Sequence, residues 1–373
     1  MSFTRSQESF GSVPGVGGEV IAYTIANSTG ISITVLNYGA TLLSVTAIDK
    51  KGVSEEVTLN YRTLDEVVTN HGPYYGCIAG RVANRIKHGK FSVDGVDYNL
   101  AINNGENSLH GGTVGFDQKI WTAVEIESAS GESCGVELSY TSPDGEEGYP
   151  GNLKVTVRYE LTLMNQLGIT YEASTDKATP VNLTNHTYWN LSGNCRAQVY
   201  DHTLLLSCDR YLPTTAAQIP TGKLQQTQGS LFDFSTERCL RPALEGIGKD
   251  DAGRPGLDHC FVVNGALGEQ GEYLYDPVEQ KALCPPLLHV ATLSDPLSGR
   301  VLDVMATQPG VQLYSANWLA DPSSDLAPHI MHNGLAIETQ HFPDAINQAR
   351  FPPVLLRPHM PYYHQSLFVF STM

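Results

Sequence analysis

Residues 153–163 read LKVTVRYELTL, and every second residue from Leu153 to Leu163 is apolar. Because successive side chains of a β-strand point to opposite faces, this period of two predicts a strand with one buried and one solvated face. The alternation pauses at residues 165–168 (NQLG), a turn-like stretch, and resumes with Ile169. We therefore expect two strands here, joined by a short turn at residues 165–168.

The same alternation recurs at residues 31–35 and on both sides of Asp94-Gly95. Asp-Gly suits a two-residue hairpin turn, in which both central residues need a positive φ. Helical periodicity is scarce, and residues 63–68 and 237–244 each predict one short helix. The sequence therefore predicts a mainly β fold, built as a single large antiparallel β-sandwich or distorted barrel with few short helices.

The chain is long enough, at 373 residues, to bury a deep core without disulfides. It shows no fixed repeat and no low-complexity linker, so we expect one domain over residues 1–373. Residues 1–15 are expected to form a flexible N-terminal tail. Residues 264–286 carry Gly, Glu and Pro without a clear period, which predicts a long surface loop.

Acidic side chains outnumber basic ones by 39 to 23, which gives a formal charge of −16. This balance argues against nucleic acid and anionic membranes as partners. No stretch approaches the roughly 20 apolar residues of a membrane span, and the N-terminus lacks the apolar core of a secretory signal. The seven cysteines are scattered, with no C-x-x-C pair, and are expected to be reduced. We expect a cytoplasmic protein that is a monomer or a weak homodimer.

Clusters of polar and aromatic residues interrupt this plain β sequence. Neutral sugars present hydroxyl groups and apolar C–H faces, which Asn, Gln, Arg, His, carboxylates and aromatic rings together recognise. The clusters therefore indicate a binding site for a small sugar. They are GRVANRI (residues 80–86), NSLHGG (107–112), NLTNHTYWNL (182–191), GLDHCF (256–261), QLY (312–314) and IETQHFPD (337–344).

Signatures of several other enzyme classes are missing from the sequence. There is no G-x-S-x-G, G-x-x-x-x-G-K-[ST] or H-E-x-x-H motif, and GVGG at residues 15–18 does not stand between a strand and a helix. His329 and His332 have a spacing that could hold a metal on a helix. Pro328 and Gly334 favour a loop there, so we predict no metal site and no cofactor.

At these clusters the sequence resembles the aldose 1-epimerases. The resemblance runs from about Phe10 to the C-terminus, and its best stretches are residues 84–86, 107–112, 182–191 and 338–358 (ETQHFPDAINQARFPPVLLRP). The family implies a large β-supersandwich of the galactose mutarotase type and a metal-independent reaction on a monosaccharide. This sequence departs from the usual pattern of the family in an insertion at residues 264–286. The insertion leaves the preferred sugar open.

The resemblance also assigns the catalytic pair. Glu338, in the ETQ segment, corresponds to the base that takes the proton from the C1 hydroxyl. His186, in the TNHTYWNL segment, corresponds to the acid that protonates the ring oxygen. Each positioned group contributes on the order of 10²–10⁴ in rate. The open-chain aldehyde then rotates and recloses with the roles reversed.

The resemblance assigns further residues to sugar binding. His110 is expected to orient the sugar near C1, and Arg85 with Asn84 to bond its hydroxyls. The charge of Arg85 is also expected to hold Glu338 ionised. Trp189 is either a wall of the cleft or a packing residue. The expected substrate-binding residues are Asn84, Arg85, His110, Asp258 and Gln312.

Each of these residues also has a structural interpretation. Glu338 could form a core ion pair with Arg85, which would satisfy a charge that is costly to bury alone. His186 could be a core histidine bonded to nearby backbone. Asp258 could be a turn residue before a strand at residues 260–263. His71, His259 and His341 are expected to be structural.

Three other functions compete with the epimerase interpretation. A hexose 6-phosphate epimerase would need extra Arg or Lys for the phosphate, beyond Arg81 and Arg85. A non-catalytic sugar sensor would have lost Glu338 or His186, and both are present. A glycoside hydrolase would use two carboxylates rather than one Glu with one His.

Overall fold

The structure is a computed structural model that describes residues 2–15, 17–248, 255–268, 285–319 and 329–373. Antiparallel β-strands dominate it, as predicted, with two short α-helices and several single 3₁₀ turns. Within the described residues, neither helix is long enough or apolar enough to cross a bilayer.

The N-terminal part forms a five-stranded antiparallel sheet followed by a helix and a set of short strands. These elements are β1 (Phe3–Ser12), β2 (Glu19–Asn27), β3 (Ser32–Leu36), β4 (Leu42–Ile48), β5 (Ser54–Glu56), α1 (Leu64–Thr69), β6 (Ile78–Ala79), β7 (Arg85–Ile86), β8 (Lys90–Val93), β9 (Val96–Asn99) and β10 (Ser108–Leu109).

Longer strands come next and then short strands around a second helix. These elements are β11 (Thr122–Glu127), β12 (Ser133–Ser142), β13 (Leu153–Thr162), β14 (Gln166–Thr175), β15 (Thr179–Pro180), β16 (Thr184–Asn185), β17 (Tyr188–Trp189), β18 (Thr203–Leu206), β19 (Arg210–Tyr211), β20 (Gln225–Gln226), β21 (Arg238–Cys239) and α2 (Arg241–Gly246).

The C-terminal strands complete the two large sheets. They are β22 (Asp258–Val262), β23 (Leu288–Ser294), β24 (Arg300–Ala306), β25 (Gly310–Tyr314), β26 (Leu335–Gln340), β27 (Leu355–Leu356) and β28 (Tyr362–Thr372). The 3₁₀ turns are Lys87–Gly89, Phe116–Gln118, Glu146–Gly148, Val199–Asp201 and Ala345–Asn347.

Two sheets frame the molecule. A nine-stranded sheet has the order β11-β12-β13-β14-β28-β24-β23-β18-β21, and a six-stranded sheet has the order β17-β26-β25-β22-β19-β20. Both large sheets contribute side chains to the main hydrophobic cluster. On β13 the alternation read from the sequence is realised, because residues from Leu153 to Leu161 are buried at every second position.

The predicted hairpin is confirmed in detail. Strands β8 and β9 pair antiparallel, and the turn residues Asp94 and Gly95 have φ values of 51° and 82°. The turn after β13 is shorter than predicted, because β14 already begins at Gln166. Asn165 alone adopts a positive φ there, of 58°, and makes the reversal without help from Gly168.

Both predicted helices exist, but one is displaced. Helix α1 begins after Thr63, whose hydroxyl accepts from the backbone N–H of Glu66. The Glu66 carboxylate accepts from the backbone N–H of Thr63, which completes a capping box. Helix α2 begins at Arg241, four residues later than predicted, with Pro242 in its first turn. Proline suits that position because the first N–H groups of a helix have no partner inside it.

Two expectations about irregular segments need correction. The tail expected at residues 1–15 is wrong for residues 3–12, which form the edge strand β1 and pair along their length with β2. Residues 264–286 were expected to form a surface loop, and most of them, 269–284, lie outside the described residues. The described first part is only partly on the surface, since Asn264 and Gly265 are exposed but Ala266 and Leu267 are buried against core residues.

Candidate active site

The six-stranded sheet separates an apolar face from a polar one. Side chains alternate across a strand, so the register Gln312↔Glu338 places these two residues on the same face. Asp258 on β22 points to that face too, because it pairs with Tyr314, two residues from Gln312. The intervening residues, such as Ile337, join the main core on the other face. Three predicted site residues thus lie side by side on three neighbouring strands.

His186 reaches Glu338 from outside this ladder. The pairs Trp189↔Leu335 and Tyr188↔Ala336 fix the register of β17 on β26. Continued by two residues along each strand, that register sets His186 opposite Glu338. The ladder opens at this point, and His186 Nε2 lies 3.6 Å from Glu338 Oε1. Both side chains are buried, at 5% and 2% exposed.

Burial dominates the electrostatics of Glu338. Loss of solvent raises the pKa of this carboxyl well above its usual value, and the negative charge of Asp258 raises it further. Arg85 lowers this pKa, but it is the smallest of the three influences. Arg85 thus favours the ionised form, as expected, but burial and Asp258 outweigh it. Among the described residues the ion-pair partner of Glu338 is His186, so the alternative interpretation, a core ion pair with Arg85, is wrong.

The same burial keeps His186 neutral at ordinary pH. Loss of solvent lowers the pKa of its imidazole to about 4. Since the two groups face each other at 3.6 Å, their titrations are coupled and belong to the pair. Over a wide range of pH the pair therefore holds one proton. Glu338 Oε2 is also buried, and no described residue donates to it.

His110 presents a fixed N–H to the same space. The backbone N–H of Asn84 donates to its Nδ1 over 3.2 Å, so in the neutral ring the proton is on Nε2. Burial, together with His186 and Arg85, lowers the pKa of His110 well below its usual value and keeps the ring neutral. Its ring centroid lies 5.2 Å from that of His186. His110 is therefore a hydrogen-bond donor beside the pair.

Asn84 supports this arrangement through its backbone. It adopts a left-handed φ of 60°, and its side-chain oxygen accepts from the N–H of Arg85 over 2.8 Å. The Asn84 side chain thus stabilises the turn at residues 84–86 (NRI), and this turn orients the neighbouring side chains. Arg85 itself is buried at the cleft wall, where its Nε donates to Asn104 over 3.0 Å.

Asp258 is held between two amides. Gln312 Nε2 donates to Oδ1 over 2.6 Å, and Gln218 Nε2 donates to Oδ2 over 2.9 Å. Asp258 is the first residue of β22, so the interpretation as a turn residue before the strand is wrong. Sequence reasoning missed Gln218, because it lies in a turn with no motif around it. Its left-handed φ of 56° is the one signal of a special conformation.

Five of the polar residues line one small cleft, and His110, His186 and Glu338 are not part of its lining. Asn84, Arg85, Asp258 and Gln312, all four predicted, share it with Gln218. Arg85 is the one cationic side chain among the described residues of its lining. Further lining comes from Leu212, Thr214, Pro220, Cys260 and Pro343. A wider groove lies on the outer side of β13, β14 and β28, and none of the predicted site residues lines it.

Tyr74 is a second residue that sequence reasoning missed. Its ring lies 4.6 Å from that of His110 and 5.9 Å from that of His186, between centroids. It holds this place with a left-handed φ of 59°, which is uncommon for a bulky residue. Burial raises the pKa of its hydroxyl, which therefore stays protonated. The aromatic ring forms a partly exposed cover over both imidazoles.

Some sequence candidates stay outside the site. Trp189 packs on Phe368 and Phe370 in the core, so it is a packing residue rather than a wall. His341 bonds Gln308 in the interior, and His71 bonds the backbone of its own turn, as expected of structural histidines. His259 packs on aromatic rings behind the cleft.

Three side chains at the site are of the types that can ligate a metal. Ligand atoms of His110, His186 and Glu338 lie within 4.8 Å of one another. Nδ1 of His110 accepts from Asn84, however, and the proton on Nε2 blocks the remaining lone pair. A metal bound at Nε2 would move the proton to Nδ1 and so break the hydrogen bond from Asn84. His329 and His332 lie in a loop, as predicted, and bond separately to Asn60 and to Tyr200 with Pro255.

Comparison with known proteins is consistent with this geometry. Residues 22–368 match the model of the family described as aldose 1-epimerase. The chain is 41% identical over 366 residues to galactose mutarotase of Homo sapiens, covering 97% of each chain. It is 34% identical over 331 residues to aldose 1-epimerase of Escherichia coli (strain K12), covering 88% of each.

Solved structures show the same fold. The crystal structure of galactose 1-epimerase from Lactobacillus acidophilus superposes with a TM-score of 0.81 at 27% identity, over 100% of this chain and 99% of that one. The GalM/aldose epimerase homologue from C. elegans gives 0.78 at 30% identity, over 93% and 98%. The family match covers most of the chain and the relatives match nearly end to end, so this chain belongs to the aldose 1-epimerase family.

Proposed function

We propose that this protein is an aldose 1-epimerase, an isomerase that interconverts the α and β anomers of free aldohexoses such as galactose and glucose. The observation that carries the proposal is the opposed pair of His186 and Glu338, 3.6 Å apart beside a polar cleft. The names of its relatives support the substrate class.

Ring opening uses one base and one acid. The carboxylate of Glu338 takes the proton from the C1 hydroxyl, and the electron pair of that O–H bond forms the carbonyl. The reactive arrangement of the pair places its one proton on His186. The C1–O5 bond breaks, its electrons go to O5, and O5 receives that proton. Since both oxygens are bonded to C1, two groups that face each other at 3.6 Å suit this exchange.

Ring closure reverses the roles. After rotation about the C1–C2 bond, neutral His186 takes the proton from the O5 hydroxyl, which attacks the other face of the aldehyde. Glu338 then returns its proton to O1. The enzyme ends each turnover as it began, so no proton from solvent and no other reactant is needed.

The remaining residues bind and orient the sugar. The fixed Nε2–H of His110 donates to an oxygen at C1 and stabilises negative charge there. Arg85 and the Asp258–Gln312 pair bond the hydroxyls on the far side of the ring, with Asn84 fixing the turn that carries Arg85. Buried Glu338 Oε2, with no protein donor described, is free to accept a further hydroxyl.

The rival functions fit less well. A phosphosugar needs more cations than Arg85, and Arg81 is committed, because its buried guanidinium donates to Ser142 and to backbone carbonyls. A glycoside hydrolase would use Asp258 and Glu338 as its two carboxylates. Both Asp258 oxygens already accept from amides, whereas Glu338 faces a histidine.

Polarimetry tests the proposal directly. Freshly dissolved α-D-galactose and α-D-glucose should equilibrate faster with the purified protein than without it. A chelator should leave the rate unchanged, because the chemistry needs only the side chains. No acceleration with either sugar, while binding is detectable, would favour the sensor or phosphosugar functions.

We also propose, from the sequence expectations, a single domain over residues 1–373 that acts in the cytoplasm as a monomer or weak homodimer. All six cysteines in the described part of the chain are free thiols, which supports a reducing compartment.

The pH dependence of kcat/KM should report the shared proton of the pair. Either arrangement of one proton gives one acid and one base, so the singly protonated pair is the active form. Activity should fall below about pH 4, where His186 binds a second proton. It should fall again as the pH rises through the raised pKa of Glu338, where the pair loses its proton.

Polarimetric rates across both limbs, with circular dichroism to confirm folding, check this prediction. If kcat/KM instead rose as the pH passed through the alkaline titration, ionised Glu338 alone would be required. That result would contradict the shared proton.

Replacement of Asp258 by Ala should raise KM about tenfold or more and also lower kcat. A hydrogen bond to a charged group contributes about 1.5–3 kcal/mol, and the carboxylate is lost with its bonds. The alkaline limb should move to lower pH, because Asp258 raises the pKa of Glu338. Gln218→Ala, which removes one of the two amides on Asp258, should have the same effect on KM but a smaller one. Unchanged KM and kcat in the Asp258 variant would assign this residue to the scaffold.

A further inference from the structure

Two buried polar side chains near the catalytic pair have no role in the mechanism above. Asn182 and Thr184 are 1% and 0% exposed, and they precede His186 on the same segment. Neither lines the cleft. Both side chains turn towards β26, the strand of Glu338. Buried polar groups in this position need a reason, since a β core is normally apolar.

The backbone ties the two catalytic residues to different neighbours. His186 donates its N–H to Cys77 and accepts at its carbonyl from Gly76. Its preceding strand, β16, pairs with β6. Glu338 instead pairs with Gln312 on β25. The ladder between β17 and β26 ends at Tyr188↔Ala336, before it reaches the pair.

Beyond Glu338, side-chain hydrogen bonds join the His186 segment to the strand of Glu338 and its end. Thr184 Oγ1 donates to the carbonyl of Thr339 over 3.0 Å. The amide of Asn182 donates to the carbonyl of His341 over 3.3 Å and accepts from its N–H over 2.9 Å. These bonds replace the missing ladder just beyond Glu338. The opening is therefore bracketed by backbone pairing at Tyr188 and by these side chains at Thr184 and Asn182.

The bonds on the two sides of the opening control the distance between His186 and Glu338. Both His186 and Glu338 must stay within proton-transfer reach of the C1 end of a sugar, one at O1 and the other at O5. A displacement of about 1 Å at a catalytic group can cost about 10²-fold in rate. Each catalytic side chain is one or two residues away from a bracketing bond, so loss of such a bond moves one strand relative to the other.

We propose that Thr184 and Asn182 are positioning residues that hold the His186 segment against β26 across the opened ladder and so set the separation of His186 and Glu338. This inference rests on the proposed function, since it assigns a role relative to that pair. It also explains why the NLTNHT segment is polar where a strand of this sheet would otherwise be apolar.

Thr184→Val tests the inference, because it removes the hydroxyl and keeps the shape. We expect kcat to fall about tenfold or more with KM changed by less than about threefold, since the sugar-binding residues stay in place. Thr184→Ser keeps the donor and should restore kcat to near the wild-type value. Asn182→Asp, which keeps the acceptor but loses the donor to His341, should reproduce the loss of kcat if the valine variant does not fold.

Ser366→Ala is the matched control. It removes a buried hydroxyl–hydroxyl bond of 2.6 Å to Thr339 on the opposite face of β26. It should lower the melting temperature but leave kcat within about threefold. A Thr184→Val or Asn182→Asp enzyme with wild-type kcat, or with a loss no greater than that of Ser366→Ala, would overturn the inference. Glu338→Gln in the same assay separates the two ideas: if it stays active, the proposed function itself fails.

Discussion

Replacement of Glu338 by Gln should lower kcat by about 10²–10⁴-fold while the sugar still binds. The amide keeps the size of the side chain and one oxygen acceptor, but it cannot take the proton from the C1 hydroxyl. Stability should be unchanged or higher, because the variant no longer buries an acid whose pKa is raised by loss of solvent. Polarimetry gives kcat, and calorimetric titration with galactose gives the affinity.

Glu56→Gln is the control for this variant. Glu56 is a partly exposed acid whose pKa is also raised by loss of solvent, and it bonds Ser44 and Thr58 away from the cleft. Its replacement should leave kcat at the wild-type value. Substantial turnover by the Glu338 variant would remove that residue as the base. A large loss in the Glu56 variant as well would point to a general effect of such acids on the fold.

Replacement of His186 by Asn should lower kcat to a similar extent. Asparagine can donate a hydrogen bond near O5 but cannot deliver a proton to it, so the alkoxide formed on ring opening is not neutralised. The partner carboxyl also loses the group with which it shares a proton. The alkaline limb of kcat/KM should therefore change shape in whatever activity remains, which the polarimetric assay can follow.

His202→Asn provides the matched comparison. His202 is another buried histidine whose pKa is lowered by burial to about 4. Its Nε2 accepts from the backbone of Leu191, and it does not line the cleft. This variant should lose stability and keep its kcat. An unchanged rate in the His186 variant would refute the acid role, whatever its stability.

The catalytic pair illustrates how a β-sheet builds a reactive site. A carboxyl that is 2% exposed is normally costly, and here no described donor satisfies Oε2. The buried carboxyl lies where the pairing between β17 and β26 ends. Its energetic cost is tolerated there because β26 stays paired with its neighbours. Perturbed acids and bases of this kind are typical of functional sites. Burial, together with the charge of Asp258, outweighs Arg85 and keeps a proton on the pair.

Local rules of the chain predicted the elements well. Asp94-Gly95 gave its hairpin because both residues tolerate positive φ, and Thr63 with Glu66 began a helix because they satisfy its free N–H groups. Where such rules failed, the deciding contacts were distant. Residues 3–12 were expected to form a tail, and they form a strand because they pair with the edge of β2.

The site shows the same division. The polar clusters revealed by sequence alone include Glu338, His186, His110, Arg85 and Asp258, because polar residues are unexpected in apolar β patterns. Gln218 and Tyr74 carry no such signal, since they lie in turns where polar and aromatic residues are ordinary. Only the folded chain shows that one bonds Asp258 and that the other covers two imidazoles.

The sequence by itself determined the fold class and the family, and it supplied the residues proposed for the chemistry, because each depends on local periodicity or on motifs along the chain. The tertiary structure alone decided how those residues meet. It placed His186 opposite Glu338, tied Asp258 to two glutamines and made burial outweigh the charge of Arg85. Such pairings depend on which strands share a sheet and on how much water the packed core excludes, and no stretch of the chain encodes either one locally.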